Sequence, residues 1–286
     1  MSSTLHQLRH YVPKTKARVP VIWARHRGLN AGDVFLGSYP RSGNTWLRFL
    51  LLEILTGKSA EFRRTNDLLP DVGAHKGVSP LLPNNGRLLK THESYRPEYK
   101  KAIYLVRDAR DVVSSEYAFQ TSRGWFEGSF DEYVQSFARG QVSGYGSWQS
   151  HVSSWVDSPL ASNGNLLVLR FEDMRRDTAT ALSKIGVFLG VEIKLGDIER
   201  AIESNSLENM REKEKKNPQR VSQKGRFVGS GSVEGWRSKL SEAQVQTIEK
   251  YAAGTLLRVG YPCLEPVSKG SRSEPSPSRC EFANFQ

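Results

Sequence analysis

GSYPRSGNTWLRFLLLEILTG, residues 37–57, decides how the rest of the chain is read. Val34, Phe35 and Leu36 lead into it as an apolar run. A turn with Pro40 and Gly43 follows, then an amphipathic helix with Trp46, Leu47, Leu50, Leu51 and Ile54 on its apolar side. Strand, glycine turn and helix in that order form a phosphate-binding loop, because turn amides and a helix N-terminus point toward an anion. A loop that cleaves nucleoside triphosphates carries a lysine after its second glycine. Asn44 stands there instead. Local pattern alone leaves an ordinary strand-to-helix turn equally open.

Outward from this loop, short apolar runs alternate with helical patterns. DVFLGSY (33–39), RLLKTH (87–92), KAIYLVR (101–107) and NLLVLRFED (165–173) are nearly continuous apolar runs, as strands buried on both faces should be. Helices are predicted at about 44–56, 109–120, 129–141, 145–157, 175–189 and 241–258, with a turn at Pro159 and the SNGN segment. The alternation predicts an α/β fold, a parallel β-sheet flanked by helices on both faces. Ligands on such sheets bind beyond the carboxyl ends of the strands.

Three strand ends carry the chemistry. The first offers Arg41, Ser42, Gly43, Asn44 and Thr45. The second, LLKTHE, ends in Lys90 and His92, which a period-2 strand puts on one side. A cation and a titratable base suit a reacting anion and a hydroxyl nucleophile, although a lone histidine is more often structural. The third, LVRDARDVVSSEYAF, gives Arg107 and, near the end of the second helical turn, Ser115. An arginine and a hydroxyl can jointly hold a phosphate. Asp108, Arg110 and Asp111 read as first-turn charges in solvated ion pairs.

Composition bounds the partners. The chain has 286 residues, 38% of them hydrophobic, and a formal net charge of +11. That is enough for one sizeable core, and the basic excess favours anionic partners without choosing among them. Its two cysteines, Cys263 and Cys280, make no disulfide framework, so a reducing compartment is expected. No stretch has the length of a membrane span and no apolar signal opens the chain, which predicts a cytoplasmic protein. Residues 1–30 read as a basic, irregular arm with Trp23 as an anchor, or equally as a solvated leader. Residues 265–286, rich in Ser, Pro and charge, read as a disordered tail.

Taken together, these segments resemble the sulfotransferases that use 3′-phosphoadenosine 5′-phosphosulfate (PAPS). SYPRSGNTW is similar to their 5′-phosphosulfate loop, KTH to their catalytic-histidine segment and RDARDVVSSEYAF to their 3′-phosphate segment. YGSWQSHVSSW (145–155), FEDM (171–174) and SNSLENM (204–210) match further family stretches in the same order. Each motif alone is weak, but their succession from about residue 33 to 258 is specific. The resemblance implies one sulfotransferase domain over 31–264 with a P-loop-NTPase-like fold.

It also implies roles. His92 would take the proton of an acceptor hydroxyl or amine. Arg41, at the family's lysine position, and Lys90 would neutralise charge on the bridging oxygen and the transferring group. Ser42, Gly43, Asn44 and Thr45 would hold the 5′-phosphate, and Arg107 and Ser115 the 3′-phosphate. Trp46 would stack on adenine, unless it is a core residue, with Phe171 at the margin and Asn205, Leu207 and Met210 around the base. PAPS would be the donor, adenosine 3′,5′-bisphosphate (PAP) the product, and no metal would be needed. Arginine at position 41 and phenylalanine at 171, often tyrosine in the family, depart from the pattern. So does the late Arg-Lys-Gly motif, which appears as Gly229, Ser230 and Gly231. Lys224 and Arg226 could supply the missing charge or be solvated. Glycines 225, 229, 231 and 235 suggest a cover over the nucleotide.

The acceptor is expected to be a small molecule: a natural product, phenol, alcohol or amine, with neither nucleic acid nor membrane as partner. Phe62, Phe119, Trp125, Phe126 and Tyr145 could line its pocket or belong to the core, and Glu61, Asp67, Asp71 and Glu127 leave a cationic acceptor open. The family's dimerisation segment falls on Arg237, Ser241, Glu242 and Gln246, a poor match that predicts a monomer or a dimer through another surface. Two rival readings remain: a P-loop kinase or NTPase on the same fold, and a non-enzymatic polyanion binder.

Overall fold

A computed structural model describes residues 18–217 and 227–264. After a first helix, α1 (Arg18–His26), the chain runs β1 (Val34–Ser38), α2 (Asn44–Thr56), α3 (Phe62–Leu68), β2 (Leu88–Thr91), β3 (Ala102–Val106) and α4 (Ala109–Thr121). It continues with α5 (Phe130–Ala138), α6 (Trp148–Val156), α7 (Pro159–Ser162), β4 (Leu166–Arg170), α8 (Phe171–Arg176) and α9 (Thr178–Leu189). Then come α10 (Leu195–Ser204), α11 (Leu207–Lys215), α12 (Trp236–Lys239) and α13 (Glu242–Arg258).

The four strands form one parallel sheet in the order β2-β1-β3-β4. Phe35 pairs with Leu89 on one side and with Ala102 on the other, which fixes the register across the centre. Every residue of β1 and β3 is buried, as two covered faces require. On one face α2, α9 and α10 bury Leu47, Leu50, Leu51, Leu182, Ile185 and Ile198. On the other, α4, α5, α6 and α13 bury Val112, Phe137, Trp148, Trp155 and Ile248. The strand order reverses at β1, so a crevice opens between the carboxyl ends of β1 and β3.

Trp155 joins this core to the crevice. Its ring stacks on Tyr99 at 5.5 Å and on Tyr104 at 5.2 Å, and its indole N–H donates to the Glu93 carbonyl at 3.2 Å. Truncation to alanine would cost roughly 3–5 kcal/mol and would loosen the segment that carries His92.

Several expected boundaries are corrected. Residues 18–26 are helical, not irregular, because Ile22, Arg25 and His26 share one face that packs on the domain. Arg25 donates to the Val72 carbonyl at 2.8 Å and His26 meets the Tyr99 hydroxyl at 2.9 Å, whereas Trp23 is exposed and anchors nothing in the core. The fourth strand stops at Arg170, and Phe171–Arg176 is already helix. Asp177 breaks that helix from the next by capping Thr180 at 2.9 Å. Pro159 starts a short helix before the turn. Helices Leu195–Ser204 and Leu207–Lys215 were not expected. Lys224, Arg226, Gly225, Cys280 and the 265–286 tail lie outside the described residues.

Candidate active site

The loop after β1 is bent by two left-handed residues, Arg41 at φ 64° and Gly43 at φ 95°. Glycine is required at 43 twice over. The backbone conformation disfavours a side chain, and a Cβ there would lie 2.5 Å from the Phe171 ring. Helix α2 begins immediately afterwards at Asn44. Ser42 Oγ is buried without a partner among the described residues. Thr45 lines the cavity above. The Asn44 side chain turns the other way, which corrects the expectation that it donates to a phosphate. Its amide nitrogen donates to the Leu36 carbonyl at 3.0 Å and to Ser38 Oγ at 3.2 Å, so Asn44 ties the loop to β1 and leaves only backbone to the anion.

At the end of β2, His92 Nδ1 lies 2.7 Å from the Ser38 carbonyl. A carbonyl only accepts, so Nδ1 carries the proton and Nε2 keeps its lone pair. Burial, and after it the charge of Lys90, lowers His92 from 6.5 to about 3. The imidazole is therefore neutral, with an unprotonated lone pair on its outer nitrogen. Beneath it, His151 Nε2 meets the His92 carbonyl at 3.0 Å and His151 Nδ1 meets the Tyr104 hydroxyl at 2.9 Å. His151 is fully buried and lowered to about 4, chiefly by burial. It is a support for the His92 backbone.

Lys90 is held by the chain beside it. Its N–H donates to the Pro70 carbonyl and its own carbonyl accepts from Val72, both at 2.8 Å. Its ammonium sits 3.0 Å from Asp71. Although burial alone would raise the Asp71 carboxyl, Lys90 and Arg48 hold it far below the usual carboxylate range.

After β3, Arg107 Nη1 donates to the Arg41 carbonyl at 3.1 Å and Nη2 to the Ser232 carbonyl at 2.9 Å. Its guanidinium lies 4.6 Å over the Phe171 ring, and its buried Nε has no partner among the described residues. The Arg41 side chain reaches toward α4 and the segment after 227. Its Nε donates to Ser115 Oγ at 3.2 Å and its Nη2 to the Phe227 carbonyl at 2.9 Å, with the guanidinium 4.7 Å over Phe119. Burial, then the neighbouring Arg107 and Arg123, lower it to about 10 against the pull of Glu116.

Asp108, Arg110 and Asp111 are buried, which corrects their reading as solvated charges. Helix α13 and Trp236 cover them. Arg110 pairs with Asp108 at 2.6 Å and Glu249 at 2.8 Å, and Asp111 accepts the Trp236 N–H at 2.8 Å. With Arg107 on Ser232 and Val228 N–H on Glu214 at 2.9 Å, the segment from 227 to 236 is fastened over the site at both ends.

Trp46 is partly buried and Phe171 meets it edge-on at 6.1 Å. Its indole N–H donates to the Asn205 carbonyl at 3.0 Å, and Arg175 covers one ring face at 5.1 Å. The Asn205 amide is spent inside the protein, on the Ala201 carbonyl at 2.9 Å and Lys213 at 2.8 Å. With Leu207 and Met210 these residues line one part of the cavity.

One cavity of about 1280 Å³ is shared by the loop after β1, Lys90, His92, Arg107, Ser115 and Trp46, while Ser42, Asp108, Arg110 and His151 lie behind its lining. Gly229, Ser230 and Gly231 roof it beside Arg41; Phe119 and Trp125 line it under the same arginine, and Tyr145 lines it 5.7 Å from His92. Phe62 and Phe126 do not line it. Phe62 packs on Phe49 at 4.9 Å and Phe126 on Tyr133 at 4.8 Å. The lining acids are Glu93, Asp111 and Glu116, not Glu61, Asp67, Asp71 or Glu127. Glu116 was not foreseen. It is buried, with Oε2 unpartnered among the described residues, and burial pushes it up to about 8. Arg25, Arg175 and Arg211 also line the cavity and carried no motif. Among the described residues no group of His, Cys, Asp and Glu is placed to hold a metal ion, and no helix is long and apolar enough to cross a membrane.

Residues 31–260 match the family model described as a sulfotransferase domain. Sulfotransferase 2A1 of Rattus norvegicus is 29% identical over 236 residues, covering 76% of this chain and 82% of the relative. Sulfotransferase 2A1 of Homo sapiens is 27% identical over the same shares. Retinol dehydratase in a complex with retinol and PAP shares the fold at a TM-score of 0.67 and 20% identity, covering 88% of each chain. Mouse sulfotransferase SULT7A1 complexed with PAP does so at 0.63 and 22%, covering 79% of this chain and 84% of its own.

Proposed function

This chain belongs to the sulfotransferase family, and from that premise we propose that His92 deprotonates a small-molecule hydroxyl or amine that receives the sulfuryl group of PAPS. The observation that carries this reading is the tautomer of His92. Its Nδ1–H is committed to Ser38, so Nε2 presents a free lone pair beside Lys90 in the cavity that also holds Arg107 and Ser115.

The residues present fit the donor. Ser42 Oγ and Arg107 Nε are buried donors without partners among the described residues. The guanidiniums of Arg41 and Arg107 repel one another where an anion would relieve them. When bound, PAPS supplies the sulfuryl group and leaves as PAP. Ser42 and the amides of Gly43, Asn44 and Thr45 hold the 5′-phosphate, and Arg107 with Ser115 grips the 3′-phosphate. Trp46 and Phe171 form the adenine slot with Leu207 and Met210; Asn205 contributes its backbone. Lys90 places a fixed charge where negative charge grows, and its pairing with Asp71 keeps it aimed there. The part of the cavity beside His92 and Tyr145 takes the acceptor. We also read the protein as cytoplasmic, and as a monomer or a dimer formed away from 237–246, where Ser241 and Gln244 close a capping box on exposed surface.

The test is a donor-loaded screen of phenols, alcohols, amines and glycans read by mass spectrometry. A product heavier by one sulfuryl group, formed by the wild type and not by His92→Ala, is expected. Thermal stabilisation by ATP equal to that by PAP, with no sulfated product, would refute the reading.

A further inference from the structure

We propose that Arg41 is a ligand of the donor's 3′-phosphate, and that Lys90 alone serves the transferring group. The inference rests on the sulfotransferase reading. Three observations point the same way.

The first is direction. Arg41 adopts a left-handed backbone, φ 64°, that non-glycine residues avoid at a cost of about 1–2 kcal/mol. Its carbonyl is caught by Arg107 at 3.1 Å, and its side chain reaches Ser115 at 3.2 Å. The arginine thus runs along the middle of α4, while Lys90 and His92 lie at the end of β2.

The second is charge. The guanidinium donates to a hydroxyl and a carbonyl, both neutral acceptors. It is stacked between Phe119 at 4.7 Å and Phe227 at 5.3 Å, which fixes its plane. It is buried near Arg107 and Arg123, and burial and these like charges lower its proton affinity although Glu116 and Glu214 pull the other way. A cluster of this kind is unfavourable empty and favourable around a dianion. Ser115 accepts from Arg41 and so keeps its own proton to donate.

The third is space. Position 229 backs onto the same spot. A Cβ built on Gly229 would lie 3.7 Å from Arg41 Nη2 and 3.9 Å from Ser115 Oγ. A side chain at 229 would start in contact with both groups, so a basic residue there and Arg41 would serve the same region. The charge absent at Gly229 and Ser230 is thus supplied from the loop after β1.

Calorimetric titration of PAP and of adenosine 5′-phosphate into the intact protein separates the possibilities. In Arg41→Ala, affinity for PAP should fall about tenfold to a hundredfold, as for a lost charge-assisted contact, with adenosine 5′-phosphate nearly unaffected. Adding Gly229→Arg to that variant should restore part of the preference. Arg41→Lys, which keeps the charge without the planar fork, should fall between and serves if the alanine variant does not fold. An unchanged preference for PAP in Arg41→Ala and Arg41→Lys, with turnover lost, would overturn the assignment and return Arg41 to the transferring group. A wild type that does not prefer PAP would instead defeat the sulfotransferase reading itself.

Discussion

Replacing His92 with glutamine keeps the size of the side chain and removes its basic nitrogen. In the wild type, Nδ1 is committed to Ser38 at 2.7 Å, and burial followed by Lys90 lowers the ring from 6.5 to about 3. A histidine of ordinary pKa would be only about one quarter neutral at pH 6. At about 3, His92 is neutral throughout the working range, so no activity is lost to its protonation. Two magnitudes follow. Turnover by His92→Gln should fall by about 10²–10⁴-fold, the usual worth of a general base, while PAP affinity stays within about twofold. The kcat/KM profile of the wild type should show no acid limb near 6.5 and should fall only toward the acid extreme. The assay needs an alcohol or weakly acidic phenol, since a strongly acidic acceptor loses its proton unaided. Near-normal turnover of His92→Gln on such an alcohol would refute the reasoning. So would an acid limb near 6.5 that vanishes in the variant.

Burial raises Glu116 from 4.5 to about 8, so the folded state binds a proton that the unfolded chain releases. Its contribution to stability is fully present below about 4.5 and is lost as pH rises through about 8, by at most on the order of 4–5 kcal/mol. Glu116→Gln should therefore melt above the wild type at pH of about 9 and close to it at about 5, and parallel curves for both proteins would exclude this account. Gly43→Ala must adopt φ 95° and push on Phe171, which should lower the melting temperature and abolish stabilisation by PAP; retention of both by the variant would show that the loop tolerates a side chain. Activity should persist in excess EDTA, and loss that magnesium restores would bring back a kinase-like mechanism.

The sheet and the strand ends were legible because each depends on a short run of residues. Four apolar runs named four strands, and a change of period marked most of the longer helices but not Arg18–His26, Phe62–Leu68, Leu195–Ser204 or Leu207–Lys215. The phosphate loop, His92 and Arg107 directly follow strands, Lys90 lies at the end of one and Ser115 lies in the helix after another, where the topology brings them to one crevice. What was not legible depends on long-range packing. Nothing in SGNT says that Asn44 will spend its amide on Leu36 and Ser38. Glu116 lies one residue after Ser115, so nothing local tells a phosphate-facing hydroxyl from a carboxyl driven under Tyr133 and Gln120. The direction of Arg41 is the sharpest case. The motif aligns it with a lysine, which suggests a shared role. Its direction is set instead by a left-handed backbone, by Ser115 74 residues away and by the Phe227 carbonyl 186 residues away. A short flexible ammonium could still reach back along the loop from that position. A planar guanidinium clamped between two phenyl rings is held where it lies. An arginine in a lysine's place is therefore a change of site as well as of side chain.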